Sequence, residues 1–302
     1  MSPQVIIEGL LNGALIGLGA VGVTLTYSIL GFANFAHGEF ITFGAYAALA
    51  IAAVVSALVV GFGDGLGPLS IGPAMILAAL FAMALTAGLA LALDRLLFTR
   101  LRGKSEAISM VMASFGASMA IRALIEFVFT SRPAYFSRDL QIARPLGFGL
   151  KATPNQLALL LVAGVLVVCV HLLLSRTQIG RAMRAVSENP PLARASGVDV
   201  EATIRFVWAL GGALACASGV MLGLLVQIRP FMGFDLLLPL FAAAILGGIG
   251  SVPGAFAGAM VIGIGEALAV QLAGAEWRAA VAFVALIAVL LIRPGGIAGR
   301  KP

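Results

Sequence analysis

Long apolar runs separated by short polar connections make up almost the whole chain. There are nine, at residues 5–30, 40–60, 70–93, 107–130, 155–175, 206–228, 236–250, 254–273 and 277–293. A helix that crosses a bilayer needs roughly 20 apolar residues, and most of these runs reach that length. The seventh has fifteen residues and the ninth seventeen, so either is short enough to be a tilted, re-entrant or broken span. The pattern predicts about eight to ten helical crossings.

The composition supports a membrane protein. The chain is 61% hydrophobic and 11% charged, whereas soluble domains carry about 25% charged residues. The runs are continuous, unlike the alternating strands of an outer-membrane barrel. The leader MSPQVIIEG has no basic residue, so the first run is expected to remain as a span. We predict an all-α polytopic membrane protein with some broken helices, organised as a single transmembrane domain over residues 1–302.

The basic residues are divided unevenly between the two sides that nine spans would create. Twelve fall on one side: Arg95, Arg100, Arg102, Lys104, Arg176, Arg181, Arg184, Arg194, Arg205, Arg293, Arg300 and Lys301. Six fall on the other: Arg132, Arg138, Arg144, Lys151, Arg229 and Arg278. Because cytoplasmic loops are enriched in Lys and Arg, the first set is predicted to be cytoplasmic, which places the N-terminus outside. The cations lie on separate loops without an aromatic platform, which argues against a nucleic-acid surface.

Two strings that suggest nucleotide binding occur in contexts that do not fit them. GLGAVG at 17–22 has the dinucleotide-binding spacing but lies inside an apolar run, without a preceding strand. Close helix packing through small residues explains it better. RGKS at 102–105 lacks the upstream Gly of a phosphate-binding loop, because Phe98 occupies that position. The sequence also contains no metal-binding or nucleophile motif, so we predict no catalytic residue, metal or cofactor.

The longest strongly polar connection, residues 176–205, has the pattern of two short helices. GRAMRAVSEN favours a helix that ends at Pro190 and Pro191, and PLARASG favours a second that ends at Gly197. Re-entry into the membrane is expected after Arg205. One interpretation is a solvated basic loop that only sets topology. The other is a docking element for a cytoplasmic partner.

Three strongly polar residues, Asn34, His37 and Glu39, interrupt the apolar pattern between the first two runs. Gly31 and Gly38 bracket them, and such glycines permit a broken helix whose backbone lines a path. Polar groups at membrane depth are costly and by default face a cavity or each other. The three side chains could hold a break together, gate the path or contact the substrate. Alternatively, they are simply wet, in a loop at the membrane surface.

A second candidate break lies at residues 246–259. Gly250, Gly254 and Gly258 recur every fourth residue and predict a ridge for close helix contact. Pro253 and the preceding Gly-Gly pair indicate a tight turn or a broken helix.

Further ionisable residues lie inside the apolar runs. Arg122 and Glu126 are one helical turn apart, which predicts an ion pair. Glu266 either lines the path or pairs with a neighbouring helix. The candidate residues of a path or gate are Asn34, His37, Glu39, Gly250, Gly254 and Glu266.

Four motifs carry a resemblance to a known family. TLTYSILGFANFAHGEFITFGAYAA, GRAMRAVSENPPLARASGVDV and AAILGGIGSVPGAFAGAMVIGIGEAL follow one another, and LLIRPGGIAG comes near the end. In this order they resemble the permease family of branched-chain amino acid ABC transporters, particularly its LivH type. The resemblance covers essentially the whole chain, although 61–105 and 131–154 match only in pattern.

The resemblance implies a five-part importer in the bacterial inner membrane. Its parts are two permeases, here this chain and a second, LivM-like subunit, with two cytoplasmic ATPases and a periplasmic substrate-binding protein. It also implies that the cytoplasmic loop couples to an ATPase through Arg184, Glu188, Asn189, Ala193, Ala195 and Gly197.

The function implied by the resemblance is import of branched-chain or other hydrophobic amino acids by alternating access, with ATP hydrolysed in the partner subunits. Members of the same family that carry urea, amides or aromatic acids leave the substrate open. A self-sufficient secondary transporter, with His37 and Glu39 as a proton relay, is a second hypothesis, but the sequence has no row of intramembrane acids. A membrane-embedded enzyme is a third, and the sequence has no catalytic constellation for it.

Overall fold

A computed structural model of the protein describes residues 4–59, 61–63, 65–102, 106–137, 141–147, 150–293 and 295–298. The helices are α1 (Gln4–Leu30), α2 (Ala36–Leu58), α3 (Pro73–Leu93), α4 (Thr99–Leu101), α5 (Ala107–Phe129), α6 (Pro154–Arg176), α7 (Gln178–Glu188), α8 (Pro190–Ala195), α9 (Val200–Leu225), α10 (Met232–Gly247), α11 (Val252–Ala273) and α12 (Arg278–Ile292). A π-helical turn, Asp94–Phe98, joins α3 to α4, and a 3-10 turn, Ala275–Trp277, precedes α12. The antiparallel strands β1 (Arg144–Gly147) and β2 (Leu150–Ala152) lie between α5 and α6.

Eight helices of the described part of the chain are long and apolar enough to cross a membrane. They are α1, α2, the continuous helix Pro73–Leu101, α5, α6, α9, α11, and α12 with its 3-10 turn. The predicted class and range of crossings are confirmed. The run at 236–250 does not form a ninth span of full length. It forms α10, whose 16 residues reach about 24 Å, less than the roughly 30 Å hydrocarbon core.

Helix α1 is the most deeply buried span, and its small residues allow this position. A Cβ at Gly13 would come 2.9 Å from the Met260 Cα, and one at Gly17 would come 2.5 Å from a ring carbon of Phe256, both on α11. Without side chains at these positions, the two helices approach closely and gain van der Waals contact in lipid. The interpretation of GLGAVG as a packing motif is confirmed.

Contacts between connections mark two ends of the bundle. At one end, which we call the loop end, Arg184 of α7, Ser28 of α1 and the turn at Gly250 line one cleft. At the other, the N-terminal end, the Lys151 N–H in β2 donates to Gln4 Oε1, 3.0 Å away. Four basic residues used to predict orientation lie outside the described residues: Lys104, Arg138, Arg300 and Lys301.

The connection between α6 and α9 contains both predicted helices. The Asn189 side chain accepts a backbone N–H at the start of α8, 3.1 Å away, and Gly197 follows that helix with a φ of +84°. The predicted order of helix, break, short helix and Gly is confirmed. Helix α9 begins at Val200, because the Asp199 carboxylate caps its first turn, so the helix already exists before Arg205, after which re-entry into the membrane is predicted.

Candidate translocation and coupling sites

The connection between α1 and α2 turns back into the bundle instead of lying at its surface. Gly31 makes the turn, with a φ of +71°, and the Asn34 side chain then accepts the N–H of Ala36 at 3.1 Å, where α2 begins. Asn34, His37 and Glu39 are each at most 3% exposed. The wet-loop alternative for these three residues is therefore wrong.

His37 shows how far the chain re-enters. Its Nε2 lies 3.2 Å from the carbonyl oxygen of Gly19, the sixteenth of the 27 residues of α1. A Cβ at Gly22 would come 2.7 Å from the imidazole, so the ring fills the space that this glycine leaves. The first turn of α2 thus begins near the middle of α1. Residues 31–35 form a non-helical break between the two helices.

Glu39 is held by a hydrogen-bonded charge pair. Its Oε1 accepts from Arg122 Nε at 3.0 Å, from Arg122 Nη2, and from Ser118 Oγ at 3.2 Å. The Glu39 side chain is buried and that of Arg122 is 13% exposed, and the pairing offsets the cost of placing each in a low dielectric. The predicted pair between Arg122 and Glu126 is wrong, because Arg122 reaches across to α2 instead.

Two aromatic rings hold the other side of Arg122. Its guanidinium carbon lies 4.7 Å from the ring centroid of Phe231 and 4.5 Å from that of Phe234, at the start of α10. Cation–π contacts of this kind are attractive and strengthen where water is excluded. Sequence analysis missed both phenylalanines, since no local pattern indicates that they approach a cation more than a hundred positions away. Arg122 therefore joins α2, α5 and α10 at the break.

The second break is a tight turn between α10 and α11 at the loop end. Gly250 has a φ of +86°, and its N–H donates to Thr24 Oγ1 on α1 at 2.8 Å. Gly254 and Gly258 lie on α11, where a Cβ at Gly258 would come 2.5 Å from the Ala243 carbonyl on α10. The predicted ridge is thus confirmed for these two, but Gly250 belongs to the turn and contacts α1. Both breaks meet α1.

Glu266 lies apart from the other candidate path residues, towards the N-terminal end. Its side chain is 4% exposed, and its Oε1 has no hydrogen-bond partner within the described part of the chain. It lines a cavity of about 530 Å³ together with Asn12 of α1 and Arg278 of α12. The structure places Glu266 on a cavity, and Arg278 of the neighbouring helix α12 acts on it electrostatically, so both alternatives for this residue stay open.

The coupling candidates on α7 and α8 divide into supporting and exposed residues. Arg184 Nη1 donates to the Leu174 carbonyl at 2.8 Å and so ties α7 to the end of α6. Ala193 is 4% exposed and packs inward, whereas Ala195 and Gly197 are exposed. Asn189 is the cap of α8. The surface that α8 offers at this end is therefore carried by Ala195 and its exposed neighbours rather than by Ala193.

Comparison with known proteins identifies the family of this chain. The sequence profile described as branched-chain amino acid transport system / permease component matches residues 5–290. The chain belongs to this family. The permease is 30% identical to the high-affinity branched-chain amino acid transport system permease protein LivH of Escherichia coli (strain K12), over 98% of this chain and 95% of that protein.

Two further relatives extend the similarity beyond one species. The permease is 32% identical to the protein BraD of Pseudomonas aeruginosa, over 98% of this chain and 95% of that protein. It is also 32% identical to the probable branched-chain amino acid transport permease protein LivH of Methanocaldococcus jannaschii, over 99% of this chain and 93% of that protein. The motif-based resemblance is confirmed.

The permease also contains an ion-pair network that sequence analysis missed. Arg102, just after α4, pairs with the buried Asp94 in the π-helical turn and with Glu201 at the start of α9, 3.3 Å away. Glu201 in turn lies 3.6 Å from Arg194 on α8. These four charges join the short helix α8 to two spans. In the sequence, Arg102 and Glu201 are 99 positions apart, so only the fold brings them together.

Proposed function

We propose that this permease is the membrane-spanning subunit of an ABC importer for branched-chain or other hydrophobic amino acids in a bacterial inner membrane. The proposal is supported by the family match over residues 5–290 and by relatives named as branched-chain amino acid permeases over nearly their whole length. Energy would come from two cytoplasmic ATPase subunits. A second, LivM-like permease would complete the pore, and a periplasmic binding protein would deliver the substrate.

In this proposal the α7–α8 segment, residues 178–195, is the coupling element. Arg184 fixes α7 to the end of α6, Asn189 and Glu188 form the break between the helices, and Ala193 and Gly197 shape α8 so that Ala195 can meet the ATPase. A small exposed side chain such as Ala195 leaves room for a partner groove, whereas a bulky charged one would not.

Movement of the coupling element would reach the spans by two routes. One is the cleft at the loop end, where Arg184 and the Gly250 turn lie together and Gly250 is hydrogen-bonded to Thr24 of α1. The other is the ion-pair chain from Arg194 to Asp94. Rigid elements connected in this way can move together as one body.

The break that carries Asn34, His37 and Glu39 is the proposed gate. Non-helical backbone within a membrane protein is tolerated only where protein or a water-filled cavity surrounds it. The buried polar contacts hold the break in one geometry, and a rocking motion of α1 would change the contact between His37 and Gly19. Gly254 allows the close packing of α10 and α11. Glu266 faces the cavity towards the N-terminal end.

A reconstituted transport assay tests the proposal. The permease, co-expressed with its partner subunits in proteoliposomes, should take up leucine, isoleucine and valine only when ATP and the binding protein are supplied. Ala195→Glu should abolish uptake or co-purification of the ATPase. Ala107→Glu, which alters an exposed residue outside the coupling element, should leave both intact.

The alternatives predict other outcomes of the same assay. Uptake by the permease alone, driven by an ion gradient, would indicate a secondary transporter and contradict the proposal. Uptake of urea, amides or aromatic acids in place of branched-chain amino acids would keep the importer and change its substrate. Normal uptake and ATPase assembly with Ala195→Glu would remove the coupling role of α8.

A further inference from the structure

The cavity at the N-terminal end has the dimensions and chemistry of a small-molecule site. Its volume is about 530 Å³, within the roughly 300–1,000 Å³ of ligand pockets. Most of its wall is apolar, contributed by Leu15, Ile16, Leu222, Val226, Met232 and Leu236. Five charged residues also line it: Arg229, Asp235, Glu266, Glu276 and Arg278. An apolar surface with a small number of polar groups is typical of sites that bind one amphiphilic molecule.

The first of these groups is the buried carboxylate of Glu266. Its side chain is more than nine-tenths buried, and no donor of the described residues reaches its Oε1. A buried charged oxygen without a hydrogen bond is costly, and such groups are normally paired. Asn12, on the same wall, is only half-buried. Arg278 acts on Glu266 as a positive charge but makes no hydrogen bond to its Oε1, so this oxygen can still accept from a donor in the cavity.

The second group is the guanidinium of Arg278. The other arginine of the cavity, Arg229, is already paired with Asp235 at 3.0 Å. Arg278 is exposed and forms no hydrogen bond or ion pair with any residue that the structure describes. A guanidinium can bind a carboxylate through two parallel hydrogen bonds. The cavity thus carries an anion, Glu266, and a cation, Arg278, that act on each other electrostatically but share no hydrogen bond, together with an apolar wall.

We propose that this cavity binds a zwitterionic α-amino acid with an apolar side chain. The ammonium group donates to Glu266, the carboxylate accepts from Arg278, and the side chain packs against Leu222, Val226 and Met232. This inference rests on the proposed function and deepens it, because it names a binding site within the permease itself. A bare metal cation fits less well, since a cationic side chain and apolar walls share the cavity.

The cavity lies close to α2, the helix that follows the proposed gate. Met232 and Asp235, which line it, flank Gly233, whose N–H donates to Thr42 of α2 at 3.1 Å. A Cβ at Gly38, beside the break, would come 2.6 Å from the Gly233 carbonyl oxygen. The cavity therefore lies beside the first turns of α2, which follow the break, so an amino acid held there lies next to the proposed gate.

The test compares three ligands that differ only in their charged groups. L-leucine, 4-methylpentanoate without the ammonium, and 3-methylbutylamine without the carboxylate are titrated against the full chain in nanodiscs by saturation-transfer NMR. Glu266→Gln should weaken leucine at least about tenfold and leave 4-methylpentanoate unchanged. Arg278→Gln should weaken leucine at least severalfold and leave 3-methylbutylamine unchanged.

Matched variants separate the site from general effects. Glu8→Gln and Arg132→Gln change exposed residues that do not line the cavity and should leave the binding of all three ligands as in the wild type. Val226→Trp should block all three ligands, because this exposed side chain lines the cavity. If Glu266→Gln fails to fold, Arg278→Gln and Val226→Trp still test the site, since both alter exposed side chains.

The outcomes distinguish this inference from the proposed function. Absence of leucine binding by the wild type, or equal loss of all three ligands in Glu266→Gln, would overturn the site. If the complete transporter shows ATP-dependent leucine uptake with an unchanged KM in both charge variants, the site is again overturned while the function stands. Selective binding as expected, without uptake of any amino acid by the reconstituted complex, would overturn the function and keep the site.

Discussion

Arg122 on α5 donates from both Nε and Nη2 to a single oxygen of Glu39 on α2, with an Nε···Oε1 distance of 3.0 Å. The Glu39 side chain is buried and that of Arg122 is mostly buried. The guanidinium is enclosed on its other side by Phe231 and Phe234, at the start of α10. One charge pair thus fixes the start of α2 relative to two other helices. Its integrity decides whether the break after α1 keeps its geometry.

Removing one member of this pair should destabilise the permease strongly. Glu39→Gln leaves the Arg122 guanidinium buried without its counter-charge, which costs about 3–5 kcal/mol of unfolding free energy. Thermal unfolding of the detergent-solubilised permease, followed by intrinsic fluorescence, should show a clearly lowered midpoint. Glu126→Gln, on the same helix as Arg122, should change it little. Equal midpoints for the two variants would contradict this account.

Neutralising both members should recover part of the loss. With Glu39→Gln and Arg122→Gln combined, no uncompensated charge remains at the break, so the double variant should unfold at a higher temperature than Glu39→Gln alone. The two mutations are coupled because the residues are in contact. Strictly additive changes in unfolding free energy would show that the two side chains do not interact.

Adding a methyl group at Gly38 should disturb the contact between α2 and α10. A Cβ there would come 2.6 Å from the Gly233 carbonyl oxygen, so Gly38→Ala forces the two helices apart at a cost of about 1–3 kcal/mol. Gly88→Ala is the matched control, because nothing lies within 4 Å of its Cβ and Ala favours a helix. The unfolding midpoint should fall for Gly38→Ala and stay level or rise for Gly88→Ala.

Loss of the Thr24 hydroxyl should uncouple the turn at Gly250 from α1. Thr24→Val removes the acceptor of the Gly250 N–H. Because Gly250 is exposed, water can replace the lost acceptor, and the cost is that of one net hydrogen bond, about 0.5–1.5 kcal/mol. In the reconstituted transporter we expect ATP hydrolysis to continue while uptake per ATP falls. Thr26→Val is the control, since that hydroxyl bonds only within α1. An unchanged ratio of uptake to hydrolysis in Thr24→Val would contradict the coupling route.

Removal of Arg102 should weaken the second route. Arg102→Gln leaves Asp94 buried without its cation and releases Glu201 from the continuous helix Pro73–Leu101. Because Asp94 is buried and Glu201 is exposed, the main effect comes from Asp94. Uptake should fall severalfold in Arg102→Gln, whereas Arg95→Gln, which alters an exposed residue of the same segment, should retain it.

Much of the architecture follows from local sequence. The apolar runs predict the spans because a helix in lipid satisfies its own backbone hydrogen bonds and needs only length and hydrophobicity. The ends of α7 and α8 are equally local, since Asn189 and Gly197 act through caps and backbone conformation within a few residues. The family, too, could be recognised from motifs alone.

The sequence did not determine the environment of the polar residues. It left Asn34, His37 and Glu39 either wet or buried, and it paired Arg122 with its helical neighbour Glu126. The partner of a buried charge is chosen by whichever oxygen the packing brings within hydrogen-bond distance, and Glu39 lies 83 positions from Arg122. No periodicity carries that information.

By itself, then, the sequence determined that this chain is a helical membrane permease, where its spans lie and how the connection between α6 and α9 folds. It did so because hydrophobic length, caps and glycines act over a few residues. Only the tertiary structure decided that the break after α1 turns inward to Gly19, that Arg122 joins three helices, and that Glu266 faces a cavity. Those features depend on contacts between segments remote in sequence, and helix packing alone sets which of them meet.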